Sequence, residues 1–152
     1  MRRVEMRIQC QWQGQMKFLG SEGELSVKMD GKPPLGGSSA LSPKQLLLAS
    51  VCGCTAMDVV ALLKKDKQKV TQFEVSADAP LTQGSYPVVF QRIHLLFQVS
   101  GEVEPSPLIE AVQLSQTRYC GVSAMVSKVV PIFYSIELNG VKIKEGQSQF
   151  NF

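Results

Sequence analysis

The sequence is short of the features that mark several common chemistries. It has one histidine, His94, which alternates with Ile93 and Leu95 in an apolar stretch and reads as a strand residue. That leaves a cysteine–histidine hydrolase with a single, poorly placed base. It has no C-x-x-C pair. Cys10, Cys52, Cys54 and Cys120 therefore lack zinc-site spacing, and the two thiols of the Cys52-Gly53-Cys54 run would point about 200° apart on a helix. There is no glycine-rich phosphate loop, no βαβ alternation and no internal repeat beyond two Ser-Pro helix starts. Concentrated charge is scarce too. The net charge is +3, with Lys64–Lys69 as its one cluster, so nothing argues for nucleic acid. No apolar run follows Met1-Arg2-Arg3, so no signal peptide is expected and the protein is expected to be cytoplasmic. In that compartment four cysteines are not a structural disulfide set; packing, metal binding and redox chemistry stay open.

What is present is organised around one stretch, Ser42 to Lys69, read as a long helix. Ser42 is a good N-cap, Pro43 suits the first helical position, and Gln45 completes a capping-box pattern. The run from Leu46 to Leu63 is apolar apart from Ser50, Gly53, Thr55 and Asp58. Such a helix must be buried on nearly every side. A membrane span is disfavoured because Asp58 would be costly in lipid. Gly53 inside the helix suggests the close approach of another backbone, or room beside a sulfur.

Around this helix the chain reads as strands and short helices. Residues 4–12 alternate, with Val4, Met6, Ile8, Cys10 and Trp12 on one face; Gln15–Leu19 returns as a hairpin arm, and Glu24–Met29 ends at Asp30-Gly31. Residues 30–41, rich in Gly, Pro and Ser, form the segment expected to be most mobile. Phe73–Ala77 and Val88–Val99 are strands, the second central. Ser106-Pro107 opens an amphipathic helix that weakens at Thr117–Tyr119, and a short helix follows over Ala124–Val130. Phe133–Leu138 and Val141–Lys144 flank Asn139-Gly140, a strong hairpin signal. With 152 residues this is expected to be one domain, 1–152, of α+β class with mostly antiparallel sheets.

Two thiols stand out. Cys54 lies mid-helix one turn before Asp58, a carboxylate that could act as a base beside it. Cys120 stands where one helix gives out and another begins, near Arg118, a setting that lowers a thiol pKa. Cys52 and Cys10 read as packing.

The segments LLLASVCGCTAMDVVALLKK and YCGVSAMVSKVVPI, with Gly36-Gly37 and the Ser-Pro-x-Gln-Leu run at 42–46, resemble the osmotically inducible protein C and organic hydroperoxide resistance (OsmC/Ohr) superfamily. The resemblance covers nearly the whole chain. It implies an intertwined homodimer with sheets wrapped around long central helices. It also implies a thiol peroxidase. Cys54 would match the peroxidatic cysteine, oxidised by an organic hydroperoxide to a sulfenic acid, and Cys120 the resolving cysteine that condenses with it to a disulfide. An external dithiol, lipoyl-linked in related proteins, would restore both, and no metal, haem or flavin is implied. Two positions depart from the family pattern. Lys17 aligns with the family's active-site arginine and Lys44 with its glutamate, and an ammonium cannot reproduce the arginine fork. Lys17 could still support Cys54 as a point charge. The alternative is therefore a redox-sensing or small-molecule-binding module on the same fold; a structural dimer with inert thiols is a third reading.

Overall fold

The computed structural model describes residues 5–151 of the chain. Its contacts fall into two compact units, one running to Leu48 and one from Ala49 onward.

The first unit is an antiparallel three-stranded meander, β1 (Gln9–Trp12), β2 (Phe18–Glu22) and β3 (Leu25–Met29), in that order. The strand expected over 4–12 is present from Gln9 on; Val4 lies outside the described residues. The return arm begins at Phe18 rather than Gln15, because Gln15 takes a left-handed φ of 51° and the Lys17 N–H donates to the Gly14 carbonyl. Ile8 and Trp12 of the alternating face are 66% and 63% exposed, and Cys10 is exposed rather than packed.

The segment 30–41 is tied down rather than loose. The Asp30 carboxylate accepts the Ser39 N–H (2.9 Å), the Ser39 hydroxyl (2.7 Å) and the Gly31 N–H (2.8 Å), and these bonds, Ser39's foremost, hold its pKa below the usual value. The Ser38 N–H also donates to the Gly31 carbonyl, and the Asp30 N–H to that of Leu41. Gly36 approaches Gly31 so closely that a Cβ would stand 2.1 Å from its carbonyl oxygen.

Helix α1 spans Pro43–Lys65. Half of the expected capping box forms: Gln45 Oε1 accepts the Ser42 N–H (2.9 Å), and the Ser42 hydroxyl donates to the same atom. The helix stops before Lys69. Lys67 turns left-handed (φ 56°), its N–H bonds the Lys64 carbonyl, and the Gln68 N–H bonds that of Leu63. That is a Schellman closure with lysine where glycine is usual. By length and composition α1 is apolar enough to cross a membrane. Its fully buried side chains are Val51, Thr55, Val59 and Leu63, a stripe at four-residue spacing. The all-round burial expected from the sequence is thus not met within one chain: Met57 is 75% exposed. Gly53 likewise has no atom within 4 Å of where a Cβ would stand, so among the described residues no backbone outside its own helix approaches it.

The second unit carries a four-stranded sheet, order β4 (Lys69–Asp78), β5 (Ile93–Glu102), β6 (Ile132–Leu138) and β7 (Val141–Gln147). β4 is twice the expected length, and β5 is central as expected but begins at Ile93. Residues 88–92 instead run irregularly, touching the preceding loop through a Leu81–Phe90 bridge. β5 and β6 are parallel, a pairing that the absence of βαβ alternation did not lead one to expect; the helices expected between them form the crossover. That crossover holds α2 (Pro105–Leu114), a π-helical turn (Ser115–Tyr119) and α3 (Gly121–Ser127). α2 starts at Pro105 behind Glu104, so Ser106 is inside the helix and not its cap. Alternate residues of β5 (Ile93, Leu95, Phe97, Val99) and β6 (Ile132, Tyr134, Ile136) are buried, together with Leu108, Ala111 and Val112 of α2. Phe97 and Tyr134 meet edge to face with centroids 6.3 Å apart.

The Asn139-Gly140 hairpin forms, with both residues at positive φ. Asn139 also works across the sheet: its side-chain amide donates to the Gly101 carbonyl (3.1 Å) and accepts the Gly101 N–H (3.0 Å). Gly101 faces the β4 bulge between Val70 and Gln72 at φ 133°, where a Cβ would lie 2.2 Å from the Lys69 carbonyl oxygen. Gly101→Ala should cost at least about 2 kcal/mol, from a disallowed φ together with a backbone collision. Urea denaturation measures it; a cost under about 0.5 kcal/mol would show that the bulge relaxes freely.

Candidate functional site

The second unit brings together three of the side chains singled out in the sequence. Cys54 Sγ, an Asp58 carboxylate oxygen and Cys120 Sγ all lie within 4.8 Å of one another. Cys54 and Asp58 are four residues apart on α1 and so share one helix face. Both are half-buried, while Cys120 is fully buried. Cys120 caps the N-terminus of α3: the Ser123 N–H donates to its sulfur (3.3 Å), and the thiol donates to the Ser123 hydroxyl (3.1 Å).

The π turn makes this possible. Its wider winding closes with the Cys120 N–H on the Ser115 carbonyl, five residues back, and it sends two consecutive side chains, Ser115 and Gln116, wholly into the interior. Those two build a polar network of fixed direction. The Ser115 hydroxyl donates to Asp58 Oδ2 (2.9 Å), a carboxylate that only accepts when ionised. Ser115 has no second hydrogen, so Thr55 Oγ1 donates to Ser115 Oγ (2.7 Å). Gln116 Nε2 then donates to Thr55 Oγ1 (2.8 Å) and to Ser123 Oγ (3.3 Å), and Gln116 Oε1 accepts the Ser148 hydroxyl (2.6 Å). The chain of donors thus ends on Asp58 and braces Cys120 through Ser123.

The expectation that Cys120 is a low-pKa thiol is overturned. Burial pushes its pKa up to about 11; the Ser123 bonds pull the other way without winning, and neighbouring Cys54 adds to the rise. Arg118 does not offset this, for it is exposed and its guanidinium stands over the Tyr119 ring (5.5 Å). Burial also raises the Cys52 pKa. His94 bonds Ser135 Oγ on the neighbouring strand (3.0 Å), as a satisfied sheet residue. Lys17 and Lys44 belong to the first unit: Lys17 sits half-buried in the β1–β2 turn, and Lys44 is exposed in the first turn of α1.

Sequence reasoning missed Thr55, Ser115, Gln116, Ser123 and Ser148. The polar Ser-Gln-Thr run at the fading end of an amphipathic helix was the available signal, and it reads equally well as a solvated helix end. The cysteine spacing that argued against a metal also missed Asp58, the third donor that the fold sets beside two sequence-distant sulfurs.

Comparison with known proteins places the chain in a wider group. The OsmC-like protein family matches residues 36–135. Protein YhfA of Escherichia coli (strain K12) is 34% identical over 135 residues, covering 88% of this chain and 98% of that protein. A solved structure from Aquifex aeolicus VF5 superposes with a TM-score of 0.79 at 26% identity, covering 90% of this chain and 98% of the other. An organic hydroperoxide resistance protein from Elizabethkingia anophelis has a TM-score of 0.66 at 16% identity, covering 91% of this chain and all of the other, which is a likeness of fold.

The elevated Cys120 pKa has a measurable consequence. An unfolded cysteine ionises near pH 8.5, so the stability tied to this thiol should be intact below that pH and lost as pH rises through about 11. Thiolate absorbance of wild type minus Cys120→Ser should show the missing ionisation near pH 11; a step at or below pH 8 would contradict the burial argument.

Proposed function

The chain belongs to the OsmC-like family, and from that premise we propose that it reduces organic hydroperoxides to alcohols with Cys54 as nucleophile and Cys120 as resolving thiol. The observation that carries this reading is the grouping of two thiols and a carboxylate within 4.8 Å. Cys54 gives up its proton, with Asp58 as the neighbouring acceptor, and its sulfur attacks the O–O bond. The alcohol leaves with that proton, and Cys54 becomes a sulfenic acid. Cys120 then attacks the sulfenic sulfur; its proton leaves with the sulfenic hydroxyl as water, and a Cys54–Cys120 disulfide remains. An external dithiol reduces that disulfide through a mixed disulfide. The high Cys120 pKa fits a resolving thiol that stays protonated until the sulfenic acid forms beside it.

A homodimer belongs to the same reading. The exposed Met57 of α1 and the uncovered Ile8 and Trp12 face are apolar surface that a second copy would bury. The lysines at positions 17 and 44, where the resemblance expects arginine and glutamate, favour a second reading: a redox-sensing or small-molecule-binding module whose thiols react without efficient turnover.

Intact mass and free-thiol counts after one equivalent of cumene hydroperoxide test the mechanism. Wild type should lose two hydrogens and two of its four thiols, Cys120→Ser should stop with one oxygen added at Cys54, and Cys54→Ser should not react at Cys120. Four surviving thiols in every version would end the peroxidase reading. Disulfide formation without turnover on an added dithiol such as dihydrolipoamide would select the sensor.

A further inference from the structure

The three donor atoms that serve the peroxidase reading also make up a ligand set. Two thiols and one carboxylate from two helix segments lie within 4.8 Å of one another. Thiolate sulfur selects zinc and similar thiophilic ions, and three protein ligands with a fourth position open is the habit of reactive zinc sites. We propose that the reduced protein binds one thiophilic divalent metal ion of the zinc class through Cys54 Sγ, Cys120 Sγ and Asp58, leaving one coordination position open.

The distances allow it. With Zn–S near 2.3 Å and Zn–O near 2.0 Å, tetrahedral ligand atoms stand about 3.5–3.8 Å apart. The donors here lie within 4.8 Å of one another, so closure takes no more than roughly 1.0–1.3 Å of side-chain movement. The surroundings are those of a supported site. The Ser115 hydroxyl donates to Asp58 Oδ2, which fixes the carboxylate, and the Ser123 N–H donates to the Cys120 sulfur. Behind Ser115, Thr55 and Gln116 hold that hydroxyl in place.

Binding and oxidation then exclude each other. Taking up the ion releases both thiol protons and occupies both sulfurs. Two-electron oxidation to the disulfide removes both sulfur donors, and the ion must leave. The metal site stands without peroxidase turnover, since it asks only that the two reduced thiols and Asp58 converge.

The test uses the full chain, reduced and kept anaerobic, titrated with zinc chloride against a chromophoric chelator and, separately, with cobalt(II). One zinc per chain is expected, and the cobalt form should show sulfur-to-metal charge-transfer and tetrahedral ligand-field bands. Cys54→Ser and Cys120→Ser should each weaken zinc binding at least a hundredfold, and Asp58→Asn at least tenfold. Ser115→Ala, which only orients the carboxylate, should weaken it roughly 10–100-fold. A Cys10→Ser/Cys52→Ser variant should retain the ion, and wild type oxidised beforehand to the disulfide should bind none. Zero stoichiometry in reduced wild type would overturn the site, as would loss of zinc in Cys10→Ser/Cys52→Ser or undiminished binding in Asp58→Asn. The wild-type cobalt spectrum reads thiolate ligation directly, so the result stands even where a cysteine variant fails to fold. Peroxide oxidation by metal-free protein is scored separately, so failure of one reading leaves the other intact.

Discussion

A fully buried glutamine amide governs how the functional end of this protein is built. Gln116 has no exposure, and an unpartnered amide in such a place would cost several kcal/mol. It is tolerated because its nitrogen reaches Thr55 on α1 and Ser123 on α3 while its oxygen accepts from Ser148 beyond β7. Three segments distant in sequence must therefore be in register before the amide is satisfied. Networks of this kind specify one arrangement strongly, because a partly formed network is worse than none. Asp58 and Cys120 are positioned at its two ends, so the packing requirement and the site geometry are the same requirement.

The chemistry follows from what that geometry collects. Two thiols and a carboxylate are all groups that can become anions, and anions this close repel unless something positive lies among them. In the proposed peroxidase, a proton held between them leaves a nucleophile with a base at hand and a resolving thiol kept neutral. A divalent cation gives a metal site. Both proposed arrangements use the same three atoms in their reduced state, and oxidation of the sulfurs to a disulfide ends either one. Burial of Cys120 tips the balance toward the neutral thiol, against the pull of the α3 N-terminus and the Ser123 bonds. The desolvation of this sulfur thus outweighs what its Ser123 contacts offer the anion.

Much of the fold was legible because local rules acted alone. Pro43, the Asn139-Gly140 turn and the alternation of β5 and β6 each follow from backbone sterics or periodicity, and each is present, although β5 starts at Ile93 rather than Val88. The misses share a cause. The end of α1 depends on Lys67 adopting a left-handed φ, which composition does not signal. The parallel pairing of β5 with β6 depends on which strands meet across the crossover, and the π turn depends on what Ser115 and Gln116 find to bond. Asp30 shows the same in a loop: a Gly- and Ser-rich stretch reads as mobile until one carboxylate collects three donors from it.

The sequence by itself determined the elements, the α+β class, the family resemblance and the identity of the two notable cysteines, because propensity, turn chemistry and motif spacing are local properties of the chain. Tertiary structure alone decided that Cys120 joins Cys54 and Asp58, that Cys120 is a high-pKa thiol rather than an activated one, and that its near neighbour Arg118 serves Tyr119 instead. Burial and mutual distance set these properties, and both arise from contacts between residues that the linear chain keeps far apart.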